Sequence, residues 1–417
     1  MGQVFGIIGV TISGNMGGQA MLEAVIEHVR ARAPGARFRL FSIYPADDMR
    51  LNTHEDLEIV PVPLWRLLTV DFAGAAGVML MRALGVNVPV ALLPRMLRSV
   101  AGCDAMIDVA GIAFVDRRGI PLLVYNLALC LPSFATRTPH HKLSQALGPF
   151  ETTLNRAAAR FALTRVTSLA ARGDRTRQYL QAIGIAPVPV LPDVSFALSV
   201  GSADMARARA SLPQGEDRRP WVAISPSRVV ERIGERKGIE YLGLLAGFAR
   251  ELSARGYRIL VLPHALADRR SKNNDIEVAR RLMRLLTDVD GVLFPDVPGD
   301  ARLLRALFGQ CHAVITSRFH AAVAAVSMGV PVVTIAWSHK YIDMLSPFGL
   351  ERFVMPVEEV TGARLRACWD AIESEGPAMR VTIANVAADH ARRALVNFDP
   401  ILSPVPVRLL SERSPAA

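Results

Sequence analysis

Short apolar runs rich in Val, Ile and Leu recur along the chain, each closed by small or polar residues and followed by a stretch with helical spacing. Such runs, apolar without strict alternation, are the pattern of strands buried on both faces of a parallel sheet. Val4 to Val10 predicts a first strand, the small-residue loop 11–19 follows, and a helix is expected from about Ala20 to Ala33. Strands follow at Phe38 to Ile43, Asp104 to Gly111, His141 onward and Val166 to Ala171, with helices over 151–163 and up to Gly184. The alternation restarts at Trp221 to Ile224. Helices are then predicted over 238–255, 274–287 and 300–309, and strands over 258–262 and 291–294. Between the two series, residues 199–220 combine an arginine-bearing stretch with Pro213, Gly215 and Pro220, the composition of a linker. The predicted architecture is α/β, with two doubly wound, Rossmann-like domains facing each other across a cleft. Its expected boundaries are 1–198, the linker 199–220, 221–375, and a carboxyl-terminal helix and tail over 376–417.

Composition narrows the class without naming a function. The 417 residues are 51% hydrophobic, which excludes a disordered chain and suffices for two cores. The four cysteines, Cys103, Cys130, Cys311 and Cys368, show neither a disulfide framework nor zinc-ligand spacing, so a reducing, cytoplasmic setting is expected and no metal. The net charge of +10 is scattered, without the basic stripe or aromatic interleaving of a nucleic-acid module. Anionic substrates or lipid headgroups remain as its partners. Gly2-Gln3 runs straight into the first strand, which does not read as a secretory leader. Residues 59–99 are the most apolar region, but Arg66, Asp71, Arg82 and four prolines interrupt them, and no uncharged run reaches the roughly 18 residues of a spanning helix. They read as buried helices or as a surface touching a membrane, and the scarcity of exposed apolar patches favours burial.

Candidate chemistry gathers where predicted strands end, since open α/β sheets bind ligands beyond the carboxyl ends of their strands. Ser317-Arg318-Phe319-His320 is a strand-to-helix turn in which Ser317 suits a helix cap and the helix start an anion. Arg228 follows an earlier strand, His264 another, and His339-Lys340 a later one. In the first half, the loop with Asn15 and Gly17 either admits a ligand to the backbone or simply packs helix on sheet. Asp116 serves as a base or sugar anchor, or pairs with a neighbouring arginine. Arg172 faces the cleft, or caps and pairs locally. Asn273-Asn274-Asp275, at the start of a predicted helix, is either a helix cap or a substrate contact.

The Ser-Arg-Phe-His turn, the Ala-rich helix ending Ser-Met-Gly-Val-Pro-Val, and Trp337-Ser-His-Lys-Tyr341 together resemble the carboxyl-terminal signature of the polysaccharide pyruvyl transferases. The resemblance is strongest over about 258–350 and thinner over 1–200. There Gly18 stands where the family often has an acid, and only Gly111 and Gly119 remain of a glycine run. It implies a glycosyltransferase-B-like fold, with the acceptor on the first domain and the donor on the second. The implied reaction moves the pyruvyl group of phosphoenolpyruvate onto two sugar hydroxyls of a cell-envelope or exopolysaccharide precursor as a ketal, releasing phosphate. Phosphoenolpyruvate is a substrate here, and no cofactor is expected. Implied catalytic residues are His320, Arg318 and His264; implied substrate-binding residues are Ser317, Arg228, His339, Lys340, Asn15, Gly17, Asp116 and Arg172. The acceptor is a sugar or a lipid-linked saccharide, with peripheral contact at the inner membrane face in the latter case. Two other readings stay open: a nucleotide-sugar-dependent glycosyltransferase of the same fold, and a non-catalytic binding protein of envelope assembly.

Overall fold

The apolar runs become strands of two parallel sheets in the computed structural model, which describes residues 2–116, 118–266, 274–295 and 299–402. The first sheet contains β1 (Val4–Ile8), β2 (Arg37–Ser42), β3 (Leu57–Pro61), β4 (Ala105–Asp108), β5 (Ile112–Ala113), β6 (His140–Leu147) and β7 (Ser168–Ala171). Its order is β3-β2-β1-β4-β6, with β5 and β7 both paired to β6 and every pairing parallel. The second sheet contains β8 (Trp221–Ser225), β9 (Arg258–Val261), β10 (Val292–Leu293), β11 (Cys311–Thr316), β12 (Val332–Ala336) and β13 (Val354–Pro356). Its order is β10-β9-β8-β11-β12-β13, again all parallel. In each sheet the strand order reverses once, between β1 and β4 and between β8 and β11. Those reversals are where doubly wound sheets open a crevice for a ligand.

Contacts divide the chain into two units. One comprises residues 1–12, 21–197 and 393–417; the other comprises 13–20 and 198–392. The segment expected as a linker forms the helix Ser202–Ala210 within the second unit, where Arg207 pairs with Asp300 at 2.7 Å. The loop carrying Asn15 and Gly17, expected in the first domain, also belongs to the second unit. Met16 N–H donates to the His264 carbonyl at 3.0 Å. The Gln19 amide donates to the Gly299 carbonyl at 2.6 Å and accepts from Ala301 N–H at 3.0 Å. The last long helix runs from Gly362 to Ala394, straight through Pro377. Beyond it Asn397 accepts from Ser144 N–H at 2.7 Å, which ties the segment after the helix to the first unit. Arg117, Asn273 and the chain after Leu402 lie outside the described residues.

Burial of the 59–99 region is not what the structure shows. Leu64–Arg66, a π-helical turn Leu67–Asp71 and the helix Phe72–Ala83 follow one another directly. By length and composition alone this stretch is apolar enough to cross a membrane. Only one face of it is covered: Ala75 and Val78 pack with Leu93, Leu97, Leu131 and Ala135. Trp65, Leu84 and Leu92 stand 66%, 70% and 74% exposed. The helical period accounts for the inner face, and Thr69 is the one exposed polar side chain of Leu64–Ala83, its hydroxyl turned back to the Trp65 carbonyl.

Candidate active site

The second unit assembles its polar residues around Asp275, the first residue of the helix Asp275–Leu285 and fully buried. The Asp275 carboxylate accepts from Arg228 N–H and Ala265 N–H, each at 2.9 Å, and from Arg318 Nε at 2.7 Å and Nη2 at 2.5 Å. One carboxylate thus ties together the loops after β8, β9 and β11. The Arg318 guanidinium meets it as a two-pronged fork, the strongest geometry available to such a pair. Arg318 keeps only 15% of its side chain exposed, so it is oriented before any ligand arrives. Asn274, beside it, accepts from Ile276 N–H at 2.8 Å and is a helix cap.

Ser317 does not cap the helix that follows it. Arg318 occupies the cap position of Phe319–Ser327 and makes no side-chain cap hydrogen bond. Ser317 is buried, sharing a 2.8 Å hydrogen bond with Tyr241 Oη while its carbonyl accepts from Tyr341 Oη at 3.0 Å. Burial pushes both phenols upward, which keeps them neutral donors. The role of Ser317 here is to fix the turn. The hydroxyls of Ser225 and Ser227, at the end of β8, are buried and have no hydrogen-bond partner among the described residues.

His264 and His320 are close enough to influence each other. Burial, then the electrostatic influence of neighbouring His320, Arg318 and Arg305, holds His264 well below the ordinary histidine range. It is therefore neutral near pH 7, which removes it as an imidazolium acid. His320 packs edge-on to Phe319 with ring centroids 5.2 Å apart, and its other side abuts Gly17. A Cβ on residue 17 would lie 2.5 Å from His320 Cβ and nearer still to Cγ and Nδ1. Glycine at 17 is thus required by close approach. Asn15 is used locally, its Oδ1 accepting from Gly17 N–H at 2.8 Å and Gly18 N–H at 3.1 Å to cap the helix Met16–Arg32.

The remaining candidates divide. Arg228 contributes its backbone N–H to Asp275, but its guanidinium is engaged by Glu231 and by Glu235 at 2.9 Å on its own helix. His339 is exposed ahead of the helix Lys340–Leu345. Lys340 Nζ sits 4.4 Å from the Trp337 ring centroid and 5.1 Å from that of Phe319, a cation–π position beside the Ser-Arg-Phe-His turn. In the first unit, Asp116 accepts from Glu151 N–H at 2.6 Å and from Thr152 Oγ1 at 2.5 Å. Burial opposes its ionisation, but these donors prevail and hold the carboxyl below its ordinary range. It anchors the start of the helix Thr153–Leu163 and pairs with no described arginine. Arg172 pairs with Asp193, which also accepts from Ser195 N–H at 2.9 Å. Asp108, Cys130 and His140 bring ligand atoms within 4.8 Å of one another at the end of β4, but Lys142 pairs directly with Asp108 and supplies the cation there. Sequence reading missed Asp275 as the organiser and Arg305 as a contributor to the potential. The Asn-Asp pair at a helix start was the visible signal for the first, and nothing local marked the second.

Residues 15–339 match the sequence profile of the polysaccharide pyruvyl transferases, a match that covers most of the chain. The chain belongs to the polysaccharide pyruvyl transferase family. As a family member it is a transferase of polysaccharide biosynthesis. It is 24% identical over 379 residues to the amylovoran biosynthesis protein AmsJ of Erwinia amylovora, covering 85% of this chain and 88% of that one. Solved structures share the fold at low identity. UDP-GlcNAc 2-epimerase from Neisseria meningitidis, bound to UDP-GlcNAc, superposes with a TM-score of 0.57 at 11% identity, covering 94% of this chain and all of that one. The glycosyltransferase VinC, in complex with dTDP, gives 0.52 at 15% identity, covering 96% and 98%. SnogD from Streptomyces nogalater gives 0.50 at 14%, covering 97% and 100%. The fold of this pyruvyl transferase family member is thus glycosyltransferase-B-like, as the family signature implied.

Proposed function

We propose that the protein transfers the pyruvyl group of phosphoenolpyruvate to two hydroxyls of a sugar in an envelope or exopolysaccharide precursor, forming a ketal. The observation that carries this reading is the Arg318–Asp275 fork beside His320 at the β8/β11 reversal, in a chain of this family. The relative named for amylovoran biosynthesis supports a polysaccharide precursor as acceptor. The donor bears a phosphate and a carboxylate, so its site needs fixed donors and positive potential. Arg318 supplies oriented N–H groups, Lys340 a neighbouring charge, and the helix Phe319–Ser327 a start without a side-chain cap.

In the proposed reaction, protonation of the donor's methylene carbon makes it a methyl group while one sugar hydroxyl adds to the adjacent carbon. The C–O bond to phosphate then breaks and the second hydroxyl adds at the same carbon. Of the two hydroxyl protons, one balances the proton taken up by the methyl group and the other leaves with phosphate. Histidine can hold a proton near neutrality, and His320 is assigned the acid role. His264, kept neutral, is assigned to hydrogen bonding. No metal or organic cofactor enters the scheme. Four free thiols favour a reducing, cytoplasmic setting.

Two measurements test the reading. His320→Ala should lower phosphate release from phosphoenolpyruvate about 100-fold, the usual size of a lost acid–base group; near-normal turnover refutes the assignment. Phosphoenolpyruvate should raise the thermal midpoint and UDP-sugars should not. Protection by a nucleotide sugar alone would favour the glycosyltransferase reading; fold neighbours were solved with UDP-GlcNAc, for an epimerase, and with dTDP, for a glycosyltransferase. Phosphoenolpyruvate binding without turnover on any acceptor would favour the non-catalytic one.

A further inference from the structure

We propose that the segment from Leu64 to Leu92 is a docking surface that seats the first unit on an anionic lipid bilayer, lying in the interface without crossing it. More than half of the large apolar side chains exposed among the described residues lie in this one segment, among them Leu64, Trp65, Leu80, Leu84, Val90 and Leu92. A contiguous apolar surface of this kind marks a binding face on a soluble protein.

Its charges are turned away from solvent. Between Leu64 and Pro94 the chain carries only Arg66, Asp71 and Arg82, and none is exposed. Asp71 is fully buried against Arg66 at 3.3 Å, and Arg82 donates to the Ala135 carbonyl. The next charges along the chain, Arg95 and Arg98, are both basic and exposed. An uncharged apolar face with a basic border complements an anionic bilayer, whose headgroups meet the arginines while the acyl boundary takes the side chains. A tryptophan at the edge of the patch is the residue type that interfaces favour.

The same geometry argues against crossing. Leu67, Ala75 and Val78 are packed into the first unit's core. Extraction into a bilayer would strip that core and carry Asp71 and two arginines into hydrocarbon. The patch begins just after β3, and β2 beside it ends in the segment with exposed Tyr44 and Met49. The docking face therefore starts at the carboxyl edge of the first sheet, and Arg82 on the Ala135 carbonyl, at the end of the helix Ile120–Thr136, carries its far half toward the start of β6. The inference does not depend on the proposed reaction.

The test uses the full chain and vesicles of phosphatidylcholine with or without phosphatidylglycerol. Four exposed positions are changed together in the variant Trp65→Ser, Leu80→Ser, Leu84→Ser, Leu92→Ser; because none is buried, the fold should survive, as circular dichroism will verify. The wild type should sediment with phosphatidylglycerol vesicles and the variant at least 10-fold less, and high salt should weaken the wild-type binding without abolishing it. Arg95→Gln with Arg98→Gln should weaken only the salt-sensitive part. Equal sedimentation of wild type and variant, or none of the wild type, overturns the proposal. So does a wild-type dimer that the variant converts to monomer without any vesicle binding, which would assign the face to a second copy. Retention in the membrane after high-salt and alkaline washing would overturn the interfacial geometry in favour of a span.

Discussion

Gly17→Ala is the substitution whose consequence the structure fixes most closely. The new methyl group would lie 2.5 Å from His320 Cβ and nearer to Cγ and Nδ1. Carbon atoms in contact prefer about 3.5–4.0 Å, so the gap must open by roughly 1 Å. Rotating the imidazole cannot open it, because His320 Cβ is fixed by the backbone of the helix Phe319–Ser327. Either that helix or the loop 13–20 has to move, and overpacking of this kind costs about 1–3 kcal/mol. The proof is a double-mutant cycle with His320→Gly, which removes all three crowded atoms; His320→Ala would leave Cβ in place. The cost of Gly17→Ala should nearly vanish in the His320→Gly background, giving a coupling energy of about 1–3 kcal/mol. Hydrogen exchange at the amides of the helix Phe319–Ser327 reports the opening free energy of that unit, separately from the rest of the chain. If Gly17→Ala costs less than about 0.5 kcal/mol, or the same in both backgrounds, the contact does not exist as described. Where His320 also handles a proton, a displacement near 1 Å should lower turnover about 100-fold.

Asp275→Ala should cost about 3–5 kcal/mol, since it strands a largely buried guanidinium and two backbone N–H groups; a loss below about 1 kcal/mol in denaturant titration would refute its organising role. The first unit should lose stability on mild acidification through His141, which burial, then the neighbouring His140, lowers to about 4 and whose Nδ1 shares a 2.8 Å hydrogen bond with Ser168 Oγ. The unfolded imidazole, near 6.5, binds its proton first, so stability is full above about pH 6.5 and falls as pH drops toward 4. The full shift corresponds to about 3 kcal/mol, and His141→Gln should flatten that part of a pH–denaturation profile; an unchanged slope would exclude His141 as its source.

The strand-and-helix alternation of both halves could be read from the chain because buried parallel strands announce themselves by short β-branched runs. The family signature around Ser317 to His320 was legible for a similar reason, since all its residues are contiguous. The apolar 59–99 region was expected to be buried, and the exposure of the helix Phe72–Ala83 was not legible because an apolar stretch does not state what covers it. The last helix was expected only from about residue 376, and its start at Gly362, ahead of Pro377, was not legible because tertiary packing can override a local breaker.

What each residue does at the site was another matter. Ser317, Asn15, Arg228, Asp116 and Arg172 are polar residues at strand ends, where ligand contact and local anchoring look alike in sequence. Their partners decide, and those partners are set by topology. Arg318 is oriented by an aspartate 43 residues away, and Gly17 is required by a histidine that only folding brings beside it. The sequence alone determined the layers, the parallel sheets and the family, because segment pattern and contiguous motifs encode burial and turn chemistry. Only the tertiary structure decided that Asp275 is the hub, that His264 is held neutral, and that the apolar segment faces outward. Charge pairing, desolvation and exposure depend on which distant segments share a crevice, and the order of strands in the sheet sets that.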